Sequence, residues 1–239
     1  MHAIPRLIHL TWPNKQVLSS EHAMIRLGPG RLQELNPGWT VQISDDQDVD
    51  DYLRRMLGDD DYQLIQQRHV VEKTDLWRLF KIYLEGGLYV DIDRFCDVDL
   101  DSVIPDHVKC VLPTCLDSDF SQDIMLSAPN NPIHYRAIMM VLNRRRAGET
   151  NIYYLGPQTY MHAVTESFLG QIINSNPPLE VFDHIRSVID STPGFMTYRE
   201  YPPYNTFLYR LHQPQARDWV ELKRDFYGQS QVRHWTNEW

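Results

Sequence analysis

Two carboxylates, Asp91 and Asp93, close the run Leu88-Tyr89-Val90-Asp91-Ile92-Asp93. Asp-x-Asp spacing is not specific alone, and the chain also contains Asp59-Asp60-Asp61, Asp97-Val98-Asp99 and Asp99-Leu100-Asp101. Context separates the first from the others. The alternation predicts a strand, with Leu88, Val90 and Ile92 on one face and Tyr89, Asp91 and Asp93 on the other. Two like charges on one side of a buried strand end cost several kcal/mol unless something pairs them. A divalent cation is the natural partner. Hard oxygen donors suit Mn²⁺ or Mg²⁺, which take their remaining ligands from water and substrate phosphates. A metal so held neutralises a diphosphate leaving group.

The elements around the pair read as an α/β alternation. Leu7 to Trp12 predicts a short strand stopped by Pro13, and Trp39 to Ile43 a second one after the Asn36-Pro37-Gly38 turn. Thr74 to Glu85 predicts a helix with an apolar face of Leu76, Leu79, Phe80, Tyr83 and Leu84. Thr74 is its expected cap and Gly86-Gly87 its stop. Asp75 and Arg78, three apart, are neighbours on that helix. The carboxylates then fall at the carboxyl end of a strand, the edge where open α/β sheets bind ligands. Further on, Asp123 to Ser127 reads as a short strand or turn and Pro132 to Arg146 as a helix. Asn151 to Pro157 reads as a strand or loop, and Tyr198 to Tyr209 as irregular loop with one late strand.

Composition narrows the function classes. The 239 residues fit one large domain or two small ones, and the formal charge of −9 argues against a nucleic-acid partner. Asp45 to Asp51 and Asp59 to Asp61 read as solvated faces or helix caps. No run approaches the roughly 20 apolar residues of a membrane span. The N-terminal residues lack a signal-peptide layout. Cys96, Cys110 and Cys115, odd in number, read as reduced thiols, so the expected location is cytoplasmic. No Gly-x-Ser-x-Gly elbow, P-loop or Gly-x-Gly-x-x-Gly fingerprint occurs.

The run Lys73-Thr74-Asp75-Leu76-Trp77-Arg78, then Gly86-Gly87-Leu88-Tyr89-Val90-Asp91-Ile92-Asp93, closely resembles the sugar-binding region of the DXD glycosyltransferases. That superfamily includes fungal initiating α-1,6-mannosyltransferases and the clostridial glucosylating toxins. Ile4 to Trp12, Asn36 to Trp39 with Asp45-Asp46, Ile124 to Pro132, and Gly156-Pro157 are similar to its outer blocks. The resemblance implies one GT-A-type, Rossmann-like domain over 1–239, a mixed, mostly parallel sheet flanked by helices. Whether Trp239 is a natural end or the edge of an excised domain stays open. It also implies roles. Trp12 stacks on the nucleobase, Asp75 accepts from ribose or sugar hydroxyls, Arg78 reaches the sugar or diphosphate, and Tyr89 lines the pocket. Asp91 contacts ribose and metal-bound water, and Asp93 binds the metal. In His234-Trp235-Thr236-Asn237-Glu238-Trp239, His234, Asn237 and Trp239 match the order of a late donor-closing segment: a metal ligand, a small polar residue, and a Trp that bonds a phosphate oxygen. The implied reaction moves a sugar from a nucleoside-diphosphate sugar, UDP-linked by preference, to a glycan, with a protein acceptor also open. Mn²⁺ or Mg²⁺ is the implied cofactor. Relatives mostly retain the anomeric configuration; should the enzyme invert, Asp123 is the expected base, with Asp119 next. A metal-dependent phosphohydrolase and a non-catalytic nucleotide- or sugar-binding module are the competing readings.

Overall fold

The computed structural model describes residues 3–94, 98–115, 118–199 and 214–229. In chain order the elements are β1 (Leu7–Thr11), α1 (Ala23–Leu35), β2 (Thr40–Ser44), α2 (Asp46–Met56), α3 (Asp59–Ile65), α4 (Val70–Leu84) and β3 (Gly87–Val90). They continue as α5 (Leu100–Val103), β4 (Cys110–Cys115), β5 (Asp119–Phe120), β6 (Ile124–Ser127), α6 (Pro132–Arg146) and α7 (Ile152–Leu155). The last are α8 (Pro157–Leu169), α9 (Leu179–Asp190), β7 (Phe195–Arg199) and α10 (Pro214–Gln229). Among the described residues, no helix is long and apolar enough to cross a membrane.

The strands form one mixed sheet in the order β2-β1-β3-β6-β4-β5, with β7 beside β4. The β1–β2, β1–β3 and β4–β7 pairs are parallel. The β3–β6, β4–β5 and β4–β6 pairs are antiparallel. Helices cover both faces, so the two-residue period sorts apolar side chains between two cores. Leu88, Val90, Val111, Ile124 and Leu126 pack with Leu32 and Trp39 on one side. Tyr89, Cys110, Leu112 and Met125 pack with Leu76, Leu79, Ile138 and Val164 on the other.

Local chemistry explains the elements. Asp45 caps α2 reciprocally with Asp48, and Asp59 to Asp61 occupy the first turn of α3, where carboxylates meet the positive helix end. The Asn131 side chain accepts from Ile133 N, and Pro132 opens α6 without a lost donor. Three expectations need correcting. Helix α4 begins at Val70, because the His69 ring accepts from Val71 N, which leaves Thr74 in the interior. Strand β3 stops at Val90, and Asp91 to Asp93 form a turn in which Arg94 N donates to Asp91 O at 2.9 Å. Residues 151–157 hold the short helix α7, capped by Asn151 and ended at Gly156, not a strand or loop.

The Gly86-Gly87 corner joins α4 to β3. Both have positive φ, +68° and +95°. A Cβ on Gly87 would lie 2.5 Å from Leu7 O, in the neighbouring strand. Gly87→Ala is therefore expected to destabilise the fold by about 2–3 kcal/mol, from strain and overpacking together. Urea unfolding checks this; an unchanged midpoint would show that the β1–β3 contact yields freely.

Candidate active site

The site is built where the end of β3, the middle turns of α4 and the residues entering β6 converge. Asp75 and Arg78, one helical turn apart, face the strand end. The Arg78 side chain is almost wholly buried, and Nη2 meets Asp75 Oδ1 at 2.6 Å. Its Nη1 donates to the Gln122 carbonyl at 3.0 Å and lies 3.3 Å from Asp91 Oδ1. The guanidinium carbon sits 4.6 Å from the centre of the Tyr89 ring. Tyr89 OH donates to the same Asp91 oxygen at 2.5 Å, and burial keeps that hydroxyl protonated, far above its ordinary range. Burial, opposed by Arg78 and aided by the charge of Asp91, pushes the Asp75 carboxyl up to about 6.

Asp93 points to a different element. Its Oδ2 accepts from Lys223 Nζ at 2.6 Å and from Tyr227 OH at 3.1 Å, both on α10. Burial alone would raise this carboxyl, but Lys223, Arg94 and Tyr227 outweigh it and hold it below the usual range. Asp123 pairs with Arg94, and its carbonyl accepts from Asp91 N at 2.8 Å. The Asp119 carboxylate accepts from Ser175, Tyr153 and Phe120 N instead, which fixes it locally. Trp12 packs against Phe226 of α10, with ring centroids 5.9 Å apart.

The structure thus gathers Asp75, Arg78, Tyr89, Asp91 and Asp123 at one strand end, with Asp93 adjoining. Helix α10 links Asp93 to Trp12. His234, Asn237 and Trp239 lie outside the described residues. Asp91 and Asp93 are each paired with a protein cation, Arg78 and Lys223, so like-charge repulsion does not by itself demand a metal. Among the described residues no three His, Cys, Asp or Glu side chains form a metal-holding group. The two carboxylates still suit a hard divalent cation that draws its other ligands from phosphate and water. Asp91 is about one-third exposed, at 34%.

Gln122 is a site residue that the sequence reading passed over. It is buried, and its Nε2 has no hydrogen-bond partner. Such an orphan donor costs about 1–3 kcal/mol and marks a place for an acceptor. Gly156 leaves room beside it: a Cβ there would lie 2.5 Å from Asp75 Oδ2 and 3.2 Å from Gln122 Oε1. The only sequence signals were the adjacency of Gln122 to Asp123 and the Gly156-Pro157 block.

Residues 13–109 match the model of a family described as a glycosyltransferase sugar-binding region containing a DXD motif. The family resemblance of this chain is to the DXD glycosyltransferases. Inositol phosphoceramide mannosyltransferase 2 of Schizosaccharomyces pombe is 28% identical over 82% of this chain and 57% of its own length. Inositol phosphoceramide mannosyltransferase 3 of the same yeast is 26% identical over 77% of this chain and 49% of its own. The chain therefore spans about half the length of these curated relatives. Among solved structures, the PaToxG glycosyltransferase superposes with a TM-score of 0.55 at 20% identity, covering 70% of each chain. That likeness establishes the GT-A fold. Asp75, Arg78, Tyr89, Asp91 and Asp93 all fall inside the segment matched to the DXD family.

The raised Asp75 carboxyl sets a pH dependence. Only the ionised form holds Arg78 by charge while keeping both oxygens as acceptors, and the proton returns below about pH 6. Thermal stabilisation by a nucleoside-diphosphate sugar is expected to weaken as pH falls through that value. Asp75→Asn should bind more weakly at neutral pH and lack the inflection. The same inflection in Asp75→Asn would assign it to another group.

Proposed function

We propose that this chain transfers a hexose from a nucleoside-diphosphate sugar to a glycan acceptor with the help of Mn²⁺ or Mg²⁺. The observation that carries the reading is the buried Arg78–Asp75 pair, which lies beside the Asp91 and Asp93 carboxylates within the segment matched to the DXD family. A phosphohydrolase needs the metal pair but not buried hydroxyl-binding groups. UDP-linked sugars head the donor list. The names of the fungal relatives add mannose as the hexose and the inositol phosphoceramide headgroup as an acceptor.

In this reading Trp12 meets the base, Asp75 and Gln122 hold hydroxyls of the sugar or ribose, and Arg78 faces the diphosphate. Asp91, Asp93 and His234 would hold the metal, Asn237 would help close the donor site, and Trp239 would bind a phosphate oxygen. The metal supplies positive charge to the diphosphate as it leaves. Tyr89 fixes the orientation of Asp91 through its hydroxyl.

The test is a panel of UDP- and GDP-linked sugars, mannose included, against lipid, glycan and protein acceptors, read by mass spectrometry. EDTA should abolish transfer reversibly, with Mn²⁺ restoring it, and Asp93→Ala should be inactive. Full activity in EDTA would remove the metal role. Donor hydrolysis that no acceptor diverts would support a hydrolase instead.

The course at the anomeric carbon is proposed to be retaining, with the leaving diphosphate accepting the acceptor proton. Asp123 is tied to Arg94, which suits charge balance better than proton abstraction. Asp123→Asn is expected to keep activity within about tenfold and to leave the product anomer retained. A loss of at least about 10²-fold, the low end for a general base, with an inverted anomeric NMR signal would make Asp123 the base.

A further inference from the structure

Helix α10 bears on both ends of the candidate site, and the roles assigned above do not use it. Lys223 and Tyr227, four apart, lie on one face of the helix, next to the row of Leu222 and Phe226. Phe226 is 5% exposed and seats the helix among Val17, Met24, Ile25 and Ile92. Its ring also meets His22 edge-on, with centroids 5.0 Å apart. From that seat Lys223 and Tyr227 reach the same oxygen of Asp93. A carboxylate oxygen offers two in-plane lone pairs, and these two donors fill them. A cation binding through Oδ2 must release one of them, and one binding through Oδ1 meets the Lys223 charge beside it. Phe226 meanwhile packs on the Trp12 ring.

We propose that α10 is a self-occupying plug: Lys223 and Tyr227 stand at Asp93 in place of a divalent cation, Phe226 covers Trp12, and metal and nucleotide compete with the helix for this site. The proposal rests on the reading that Asp93 binds a cation and Trp12 the base. Its consequence is a conformational tax. If only a fraction of molecules have α10 displaced, the apparent metal affinity falls by that fraction. A partner or ligand that draws α10 away would raise affinity without touching the site.

The experiment is a Mn²⁺ titration of the full chain, following the electron paramagnetic resonance signal of free Mn²⁺. Lys223→Met/Tyr227→Phe should bind Mn²⁺ about tenfold more tightly than the wild type, the scale of one charged hydrogen bond removed from the competitor. Phe226→Ala unseats the helix without altering any group on Asp93, and it should also bind more tightly. Adding Asp93→Asn to the double variant should abolish the gain. Circular dichroism confirms that each variant is folded. Unchanged, weaker or absent Mn²⁺ binding in the folded double variant overturns the proposal. So does weaker binding by Phe226→Ala, which would make α10 part of the binding site. A parallel titration with UDP and GDP separates the two ideas. Failure of every form to bind a nucleotide removes the donor reading and leaves the Mn²⁺ competition standing.

Discussion

The site depends on one buried cation. The Arg78 guanidinium lies between Asp75 and Asp91, donates to the Gln122 carbonyl, and rests on the face of Tyr89. These partners come from α4, from the end of β3, and from the residues entering β6, so one side chain ties three segments together. A guanidinium suits this task because its planar fork serves several acceptors at once while its face meets an aromatic ring. Removing one member of such a buried pair costs about 3–5 kcal/mol, because the other is left charged and unpaired. The Gly86-Gly87 corner that joins α4 to β3 leaves no room for a Cβ against Leu7, Ser127 or Pro129.

Charge balance extends from that pair. Asp75, Asp91, Asp93 and Asp123 share Arg78, Arg94 and Lys223 among the described residues. Arg78 is held by Asp75, Asp91, the Gln122 carbonyl and the Tyr89 ring, whereas Lys223 belongs to a helix that touches the site from outside the sheet. The Lys223 side chain is also the more exposed of the two, at 37% against 8%. In the proposed function, an incoming cation replaces Lys223 at Asp93 and leaves the Arg78 cluster whole. Such exchange at the rim around a rigid centre fits the proposed binding and release of a charged leaving group.

Much of this was legible in the sequence, for physical reasons that differ by element. The apolar run Leu88-Tyr89-Val90 marked the strand, and its period of two sorts Leu88 and Val90 into one core and Tyr89 into the other. Asn131-Pro132 marked the start of α6 through a cap and a proline that needs no donor. The Asp75–Arg78 spacing pointed to neighbours because one helical turn separates them. The start of α4 was hidden because a His cap does not stand out as Ser, Thr or Asp does. Residues 151–157 carry the β-favouring run Ile152-Tyr153-Tyr154, yet the Asn151 side chain and Gly156 make a short helix there. The contact of α10 with Asp93 spans 134 residues, beyond any local pattern. Gln122 could not be singled out because its meaning lies in a partner it lacks, which only packing reveals.

The account is tested most directly by a crystal structure of the chain soaked with Mn²⁺ and a nucleoside-diphosphate sugar, using anomalous scattering to locate the metal. It predicts a manganese peak at the carboxylates of Asp91 and Asp93, with Lys223 withdrawn from Asp93. It also predicts sugar or ribose hydroxyls on Asp75 and on the otherwise unpartnered amide of Gln122. A nucleotide bound elsewhere, with the Arg78 cluster unliganded, would contradict it.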